Sequence, residues 1–208
     1  RYLIEHRMSN NELVNILRSG KQEPVELTFN NIRTLEQFAG VISKQIEPDS
    51  ITLLNYFRDT NILKKYGFDS NTIACMFIPN TYEIYWNTSA EKFLDRMNKE
   101  YEKFWNRIRT VQAEHIGKTR EEVITLASIV NEETRINSEK KRIAGVYINR
   151  LEKGIPLQAD PTIIFGLGDF SIRRVLKKHY KIDTPFNTYM HSGLPPGPIC
   201  FPDISTID

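Results

Sequence analysis

Apolar positions recur along this chain at two spacings, and each change of spacing marks an element. In the stretch Ser9–Gly20, Leu13, Ile16 and Leu17 fall at helical intervals and predict a buried stripe. Ser9 caps that helix, Glu12 three residues on completes a capping box, and Gly20 ends it. Val25 to Phe29 then alternates apolar with polar, as a half-buried strand does. Thr34 and Gln37 open a second helix carrying Leu35, Phe38, Val41 and Ile42, so the first fifty residues read as a small α/β unit. A more helical, polar middle follows. There Pro79 and Asn80 break an apolar run, Tyr82, Ile84 and Trp86 alternate, and Ser89 caps a helix with Phe93, Leu94 and Met97 inside. These aromatics suit either stacking on sugar rings or, more simply, packing in a core. Thr119 and Glu122 form a further capping box, and Asn137 or Ser138 starts a helix with Ile143, Val146, Tyr147, Arg150 and Leu151 on one face, ending at Gly154. Beyond it the chain turns rich in glycine and proline, and Pro195–Pro196 flanked by glycines predicts a rigid, shaped loop.

Composition narrows the class without deciding the function. With 208 residues, 40% hydrophobic and 26% charged, the chain has enough apolar material for one substantial core or two modest ones. A formal net charge of +2, with no basic stripe, argues against nucleic acid as a partner. Cys75 and Cys200 lack metal-ligand spacing, and His6, His115, His179 and His191 are scattered, so neither a metal nor another cofactor is expected. No stretch approaches the ~20 apolar residues that span a bilayer. The abrupt start at Arg1 and stop at Asp208 lead us to expect a piece of a longer protein.

The chemically suggestive stretch is Ala127–Arg135, where two adjacent glutamates end an apolar run. Leu126, Ile129, Val130 and Glu133 lie along one helical stripe, so Glu133 is expected to continue the buried face. Glu132 falls with Thr125 and Ser128 on the side expected to be polar. A carboxylate packed against aliphatic groups near a helix C-terminus is favoured in its neutral form, as a general acid for glycosidic cleavage must be. Pairing of Glu133 with Arg135 or Arg142 would instead make it structural. Downstream, Asn149, Gln158, Asp160, Thr162, Asn187, Thr188 and Tyr189 offer hydrogen-bonding groups suited to a polyhydroxylated ligand. Asp160 before Pro161 is equally well placed to form a turn.

Four motifs, Leu126–Thr134, Val146–Gly168, Thr184–Tyr189 and Ser192–Ile199, resemble in order and spacing those of the endolytic murein transglycosylases, the YceG-like family. Phe77–Tyr85 is similar to an upstream element of the same family. Many members carry a glutamate where this chain has Asn131, which argues against that position as the essential acid. The resemblance implies an α+β fold, with a partial LysM-like subdomain at 1–48 and a transglycosylase domain over 49–208. It implies Glu133 as catalytic acid and base, with Asn149, Gln158, Asp160, Thr162, Asn187, Tyr189, Gly193, Leu194 and Pro195 lining a glycan cleft. It further implies peptidoglycan glycan strands as substrate, cell-wall synthases as partners, and a place at the bacterial cell envelope, on the periplasmic face of the inner membrane. The anchor would be a single N-terminal membrane helix outside this chain. Two other readings stay open: a muramidase-type hydrolase with Asp160 or Glu139 as second carboxylate, and a non-catalytic glycan-binding scaffold.

Overall fold

A computed structural model describes residues 1–208. In chain order the elements are α1 (Asn10–Ser19), β1 (Val25–Phe29), α2 (Leu35–Ile42), α3 (Ser50–Arg58), α4 (Thr60–Lys65), a 3-10 turn (Ile73–Met76), β2 (Asn80–Ile84), α5 (Ala90–Phe104), α6 (Arg107–His115), α7 (Arg120–Glu133), α8 (Asn137–Glu152), α9 (Asp160–Leu167), a 3-10 turn (His179–Lys181) and α10 (Ile204–Ile207). The fold is mixed helix and sheet. Helix starts follow local chemistry: the Ser9, Thr34, Ser89 and Thr119 hydroxyls each accept the backbone N–H three residues on, and Ser9 and Thr119 complete capping boxes with Glu12 and Glu122.

β1 and β2 form one antiparallel pair, with Val25 opposite Ile84 and Phe29 opposite Asn80. Leu27, Phe29, Tyr82 and Ile84 turn inward onto a large aromatic core. Phe38 stands at its centre, 4.4 Å from Phe77 and 5.4 Å from Phe57 between ring centroids. The aromatics Phe77 and Tyr82 thus take the packing role, while Tyr85 and Trp86 stay partly exposed. One core is built from both sides of residue 48, the expected boundary, because β1 and α2 pack with α3, β2 and α5.

A second, smaller core holds Leu126, Ile129, Val130, Tyr147, Leu157, Ala159 and Ile199. α7 joins the two, since Ile124 belongs to the first and Leu126 to the second. The tail also returns: Phe201 inserts 5.1 Å from Phe38, and its N–H donates to the Ile32 carbonyl at 2.8 Å.

Three sequence expectations fail for one reason, that a stripe needs a neighbour to bury it. α1 has no buried residue, and Leu17 is exposed, because no element packs over it. Val146 is also exposed, on the side of α8 away from α7. Conversely, Thr125 and Ser128 are buried, because α7 is enclosed on all sides through this turn. Ser128 Oγ donates to the Thr125 carbonyl at 2.7 Å and accepts the Ile199 N–H at 2.9 Å. Asp160–Pro161, equally well placed for a turn by sequence, instead opens a helix over Asp160–Leu167: Pro161 occupies its first turn, where a missing N–H costs nothing, and Gly168 ends it in the left-handed conformation.

Candidate active site

Glu133 is the last residue of α7, where backbone carbonyls without helical partners disfavour negative charge. It does not continue the buried face. The residue opens to solvent as the helix leaves the core, and Glu132 is the more enclosed neighbour, its side chain only 14% exposed and ion-paired with Arg33. The carboxylate of Glu133 nevertheless sits among protein groups. Burial raises its pKa above the ordinary glutamate value, a hydrogen bond from Tyr147 works against the rise, and the charge of nearby Asp160 adds to it. The Tyr147 hydroxyl, on α8, donates to Glu133 Oε1 at 2.8 Å. Oε2 has no partner within the protein, and neither Arg135 nor Arg142 pairs with the carboxylate.

Asp160 comes to this place from the N-terminus of α9. Its Oδ1 accepts the Tyr189 hydroxyl at 2.6 Å, and the Tyr189 ring packs 4.5 Å from Tyr180. Burial raises the pKa of Tyr147 and Tyr189, and a neighbouring carboxylate reinforces each rise, Glu133 for Tyr147 and Asp160 for Tyr189. Both phenols therefore remain protonated donors. Gln158 is exposed beside them, with φ +54, a left-handed conformation uncommon for a residue with a side chain. Two contacts hold it: its N–H donates to the Thr188 carbonyl at 3.0 Å, and its Oε1 accepts Arg150 at 2.6 Å.

Of the remaining expected cleft residues, several make hydrogen bonds within the fold. Thr162 is fully buried and donates to the Ala159 carbonyl at 2.7 Å; with that hydrogen committed, Thr188 donates to Thr162 while accepting the Ala159 N–H. Asn187 is buried too. Its Nδ2 donates to the Ile182 and Tyr180 carbonyls and its Oδ1 accepts the Tyr189 N–H, so it sets the loop that carries Tyr189. Asn149 lies two residues, about 200° of helix, from Tyr147 and is exposed with Val146 on the far side of α8. Leu194 packs against the second core and Pro195 is buried, while Gly193 adopts φ +91 to turn the chain into them. The same loop crosses the first half of the chain at Gly197, where a β-carbon would stand 2.0 Å from the Asn71 carbonyl oxygen.

The structure thus gathers Glu133, Asp160, Gln158 and Tyr189, adds Tyr147 and Arg150, and sets Asn149, Thr162, Asn187, Leu194 and Pro195 apart. Sequence reasoning placed Tyr147 and Arg150 on a core-facing stripe and missed their polar ends. The available signal was a phenol and a guanidinium on a face otherwise aliphatic, since both group types need partners when buried.

An acidic residue at the end of a buried helix, held by a phenol and answered by a second carboxylate on a neighbouring helix, is the kind of site that carbohydrate-cleaving enzymes use. The profile of the YceG-like family matches residues 1–208, and the chain belongs to that family. Two curated relatives bear the name endolytic murein transglycosylase. One, from Streptococcus pneumoniae, is 28% identical and covers 100% of this chain. The other, from Bacillus subtilis, is 46% identical over 77 residues, 37% of this chain. The chain spans 43% of the length of the pneumococcal relative, and the Bacillus match spans 21% of that protein. A solved yceG-like protein of Listeria monocytogenes superposes with a TM-score of 0.73 at 26% identity, covering 99% of this chain and 73% of that one.

Proposed function

We infer that this chain carries the catalytic glutamate of a peptidoglycan lytic transglycosylase, cleaving the MurNAc–GlcNAc bond within glycan strands. The observation that carries the reading is Glu133: a carboxyl with raised proton affinity, held on one oxygen and open on the other. From Oε2 the proton passes to the oxygen leaving C1 of muramic acid, and positive charge develops at C1. The ionised Glu133 then takes the proton of the C6 hydroxyl, whose oxygen closes on C1. A 1,6-anhydromuramyl end results, with no water consumed and the glutamate reprotonated. Tyr147 supports both halves, because its hydrogen bond is stronger to the carboxylate than to the acid and so steadies the ionised intermediate stage. Asp160 adds to the burial that raises the proton affinity of Glu133, and offers negative charge toward C1 as positive charge develops there.

The names of the relatives support murein as the substrate of this chain. On that reading the enzyme works at the cell envelope, limits the length of nascent strands, and meets cell-wall synthases there. No helix here is long and apolar enough to cross a membrane; the N-terminal anchor is proposed from the family resemblance alone. A LysM-like origin for residues 1–48 is proposed from membership of the family alone.

The test is mass spectrometry of muropeptides released from uncrosslinked strands by wild type and Glu133→Gln. Anhydromuramyl ends made by wild type alone are expected. Their persistence in the variant would remove Glu133 from the mechanism, and reducing ends would instead favour hydrolysis with Asp160 as the second carboxylate.

A further inference from the structure

Around the end of α7 from Glu133 lies a cavity of about 510 Å³ whose eleven lining residues include no hydrophobic one. Glu132 and Thr134, the chain neighbours of Glu133, form part of its wall, so the cavity and the candidate active site are two sides of one helix terminus.

Its charges are unevenly matched. Arg33 and Glu132 neutralise each other across the wall. That leaves Lys140 and Arg135 against Asp203, and none of these three makes an ion pair. Lys140 is the unusual one. It is only 6% exposed, and its ammonium, which has three hydrogens to donate, contacts a single neutral group, the Thr206 hydroxyl at 2.6 Å. Thr206 in turn donates to Asn131 Oδ1 at 2.9 Å, which fixes its lone pairs toward the lysine. A buried ammonium with one neutral partner is unfavourable unless an anion completes it. Arg135 stands at the rim, exposed and unpaired, and Asn137 adds an amide group fit for a peptide backbone.

We propose that this cavity is a carboxylate site for the acidic peptide that branches from the muramic acid being cleaved, with Lys140 as the buried cation and Arg135 as the entry cation. The proposal rests on the glycan reading above. A sugar presented to Glu133 puts its peptide branch beside the helix end, and Glu132 and Thr134 line the route round it. The site would make strands that still carry peptides better substrates than stripped ones, by binding rather than by chemistry.

The experiment is an NMR titration of the intact chain with three probes: the soluble stem peptide with free carboxylates, the same peptide with every carboxylate amidated, and a muramic acid disaccharide whose lactyl carboxylate is free. Saturable binding of the first is expected, at least tenfold weaker for the second. Lys140→Met is expected to lower affinity for the acidic peptide at least tenfold, to the level of the amidated one, and Arg135→Gln at least threefold. Should Lys140→Met fail to fold, the exposed Arg135→Gln, together with Asn137→Ala, carries the test. No saturable binding of the acidic peptide, equal binding of both peptides, or affinity unchanged in the variants would each overturn the proposal. Lys140-dependent binding of the disaccharide in preference to the peptide would overturn it as well, assigning the site to the lactyl group. Because binding is read without turnover, the two readings fail separately. Peptide binding without anhydromuramyl products would sink the transglycosylase assignment alone, and products with unaltered binding in Lys140→Met would sink this one alone.

Discussion

Phe201→Ala tests whether the C-terminal tail is what fixes the site loop against the rest of the molecule. Phe201 is 2% exposed, with its ring 5.1 Å from Phe38 and 6.0 Å from Phe77. A buried phenylalanine removes about 150–250 Å² from water, which at roughly 25 cal/mol per Å² amounts to about 4–6 kcal/mol. Alanine keeps the β-carbon and the core relaxes partly, so the expected loss is about 3–5 kcal/mol, in line with other phenylalanine truncations. Set against a total stability of about 5–15 kcal/mol, that is a large share. Urea unfolding followed by circular dichroism reads it as a lower midpoint at unchanged slope. Phe201→Leu, which fills most of the space, is expected to lose less than half as much. The loop Gly193–Ile199 runs directly into the Ser128–Ile199 hydrogen bond and, two residues on, into this anchor, so Phe201→Ala should also cut the proposed glycan cleavage by more than its unfolded fraction explains. A loss of stability under about 1.5 kcal/mol would refute the reasoning, because a ring so enclosed cannot be removed that cheaply unless the tail is not seated in the core.

Other consequences follow from the site. Since burial raises the Glu133 pKa, ionising it opposes folding: its contribution is fully present below the unfolded pKa and is lost as pH rises through the folded one. Glu133→Gln is therefore expected to be more stable than wild type at pH 8, with the gap closing toward pH 4; a thermal-melt series showing the reverse order would contradict the assigned burial. Tyr147→Phe removes the hydrogen bond that lowers the Glu133 pKa, so the alkaline limb of the pH profile of kcat/KM should move to higher pH, and a limb that stays or moves down would count against it. Gly197→Ala drives a β-carbon to 2.0 Å from the Asn71 carbonyl oxygen, and a destabilisation of about 1–3 kcal/mol is expected in urea, with an unchanged midpoint as the contrary result.

Much of the fold and part of the site were legible because their causes are local. A capping hydroxyl and the N–H it satisfies lie three residues apart, so Ser9, Thr34, Ser89 and Thr119 announce their helices without any tertiary contact. Helical periodicity separated Glu133 from Glu132 along α7 but assigned the enclosed face to Glu133, whereas Glu132 is the more enclosed of the two. Periodicity says which face is apolar; it does not say what meets that face. α1 has a stripe and no partner, whereas Thr125 and Ser128 are polar and enclosed. The openness of Glu133 and the enclosure of Glu132 depended on Arg33, ninety-nine residues away, which pairs with the one and leaves the other to Tyr147. Thr162 and Asn187 read as ligand-binding groups because their polarity is visible in sequence, but the carbonyls and hydroxyls that consume their hydrogen bonds are brought up by other segments. The sequence by itself determined where the helices capped by Ser9, Thr34, Ser89 and Thr119 begin and where the strands lie, since each follows from bonds and spacings within a few residues. Only the tertiary structure decided which polar groups are spent on the fold and which remain free, because a buried hydrogen bond is made with whichever distant partner the packing brings within reach.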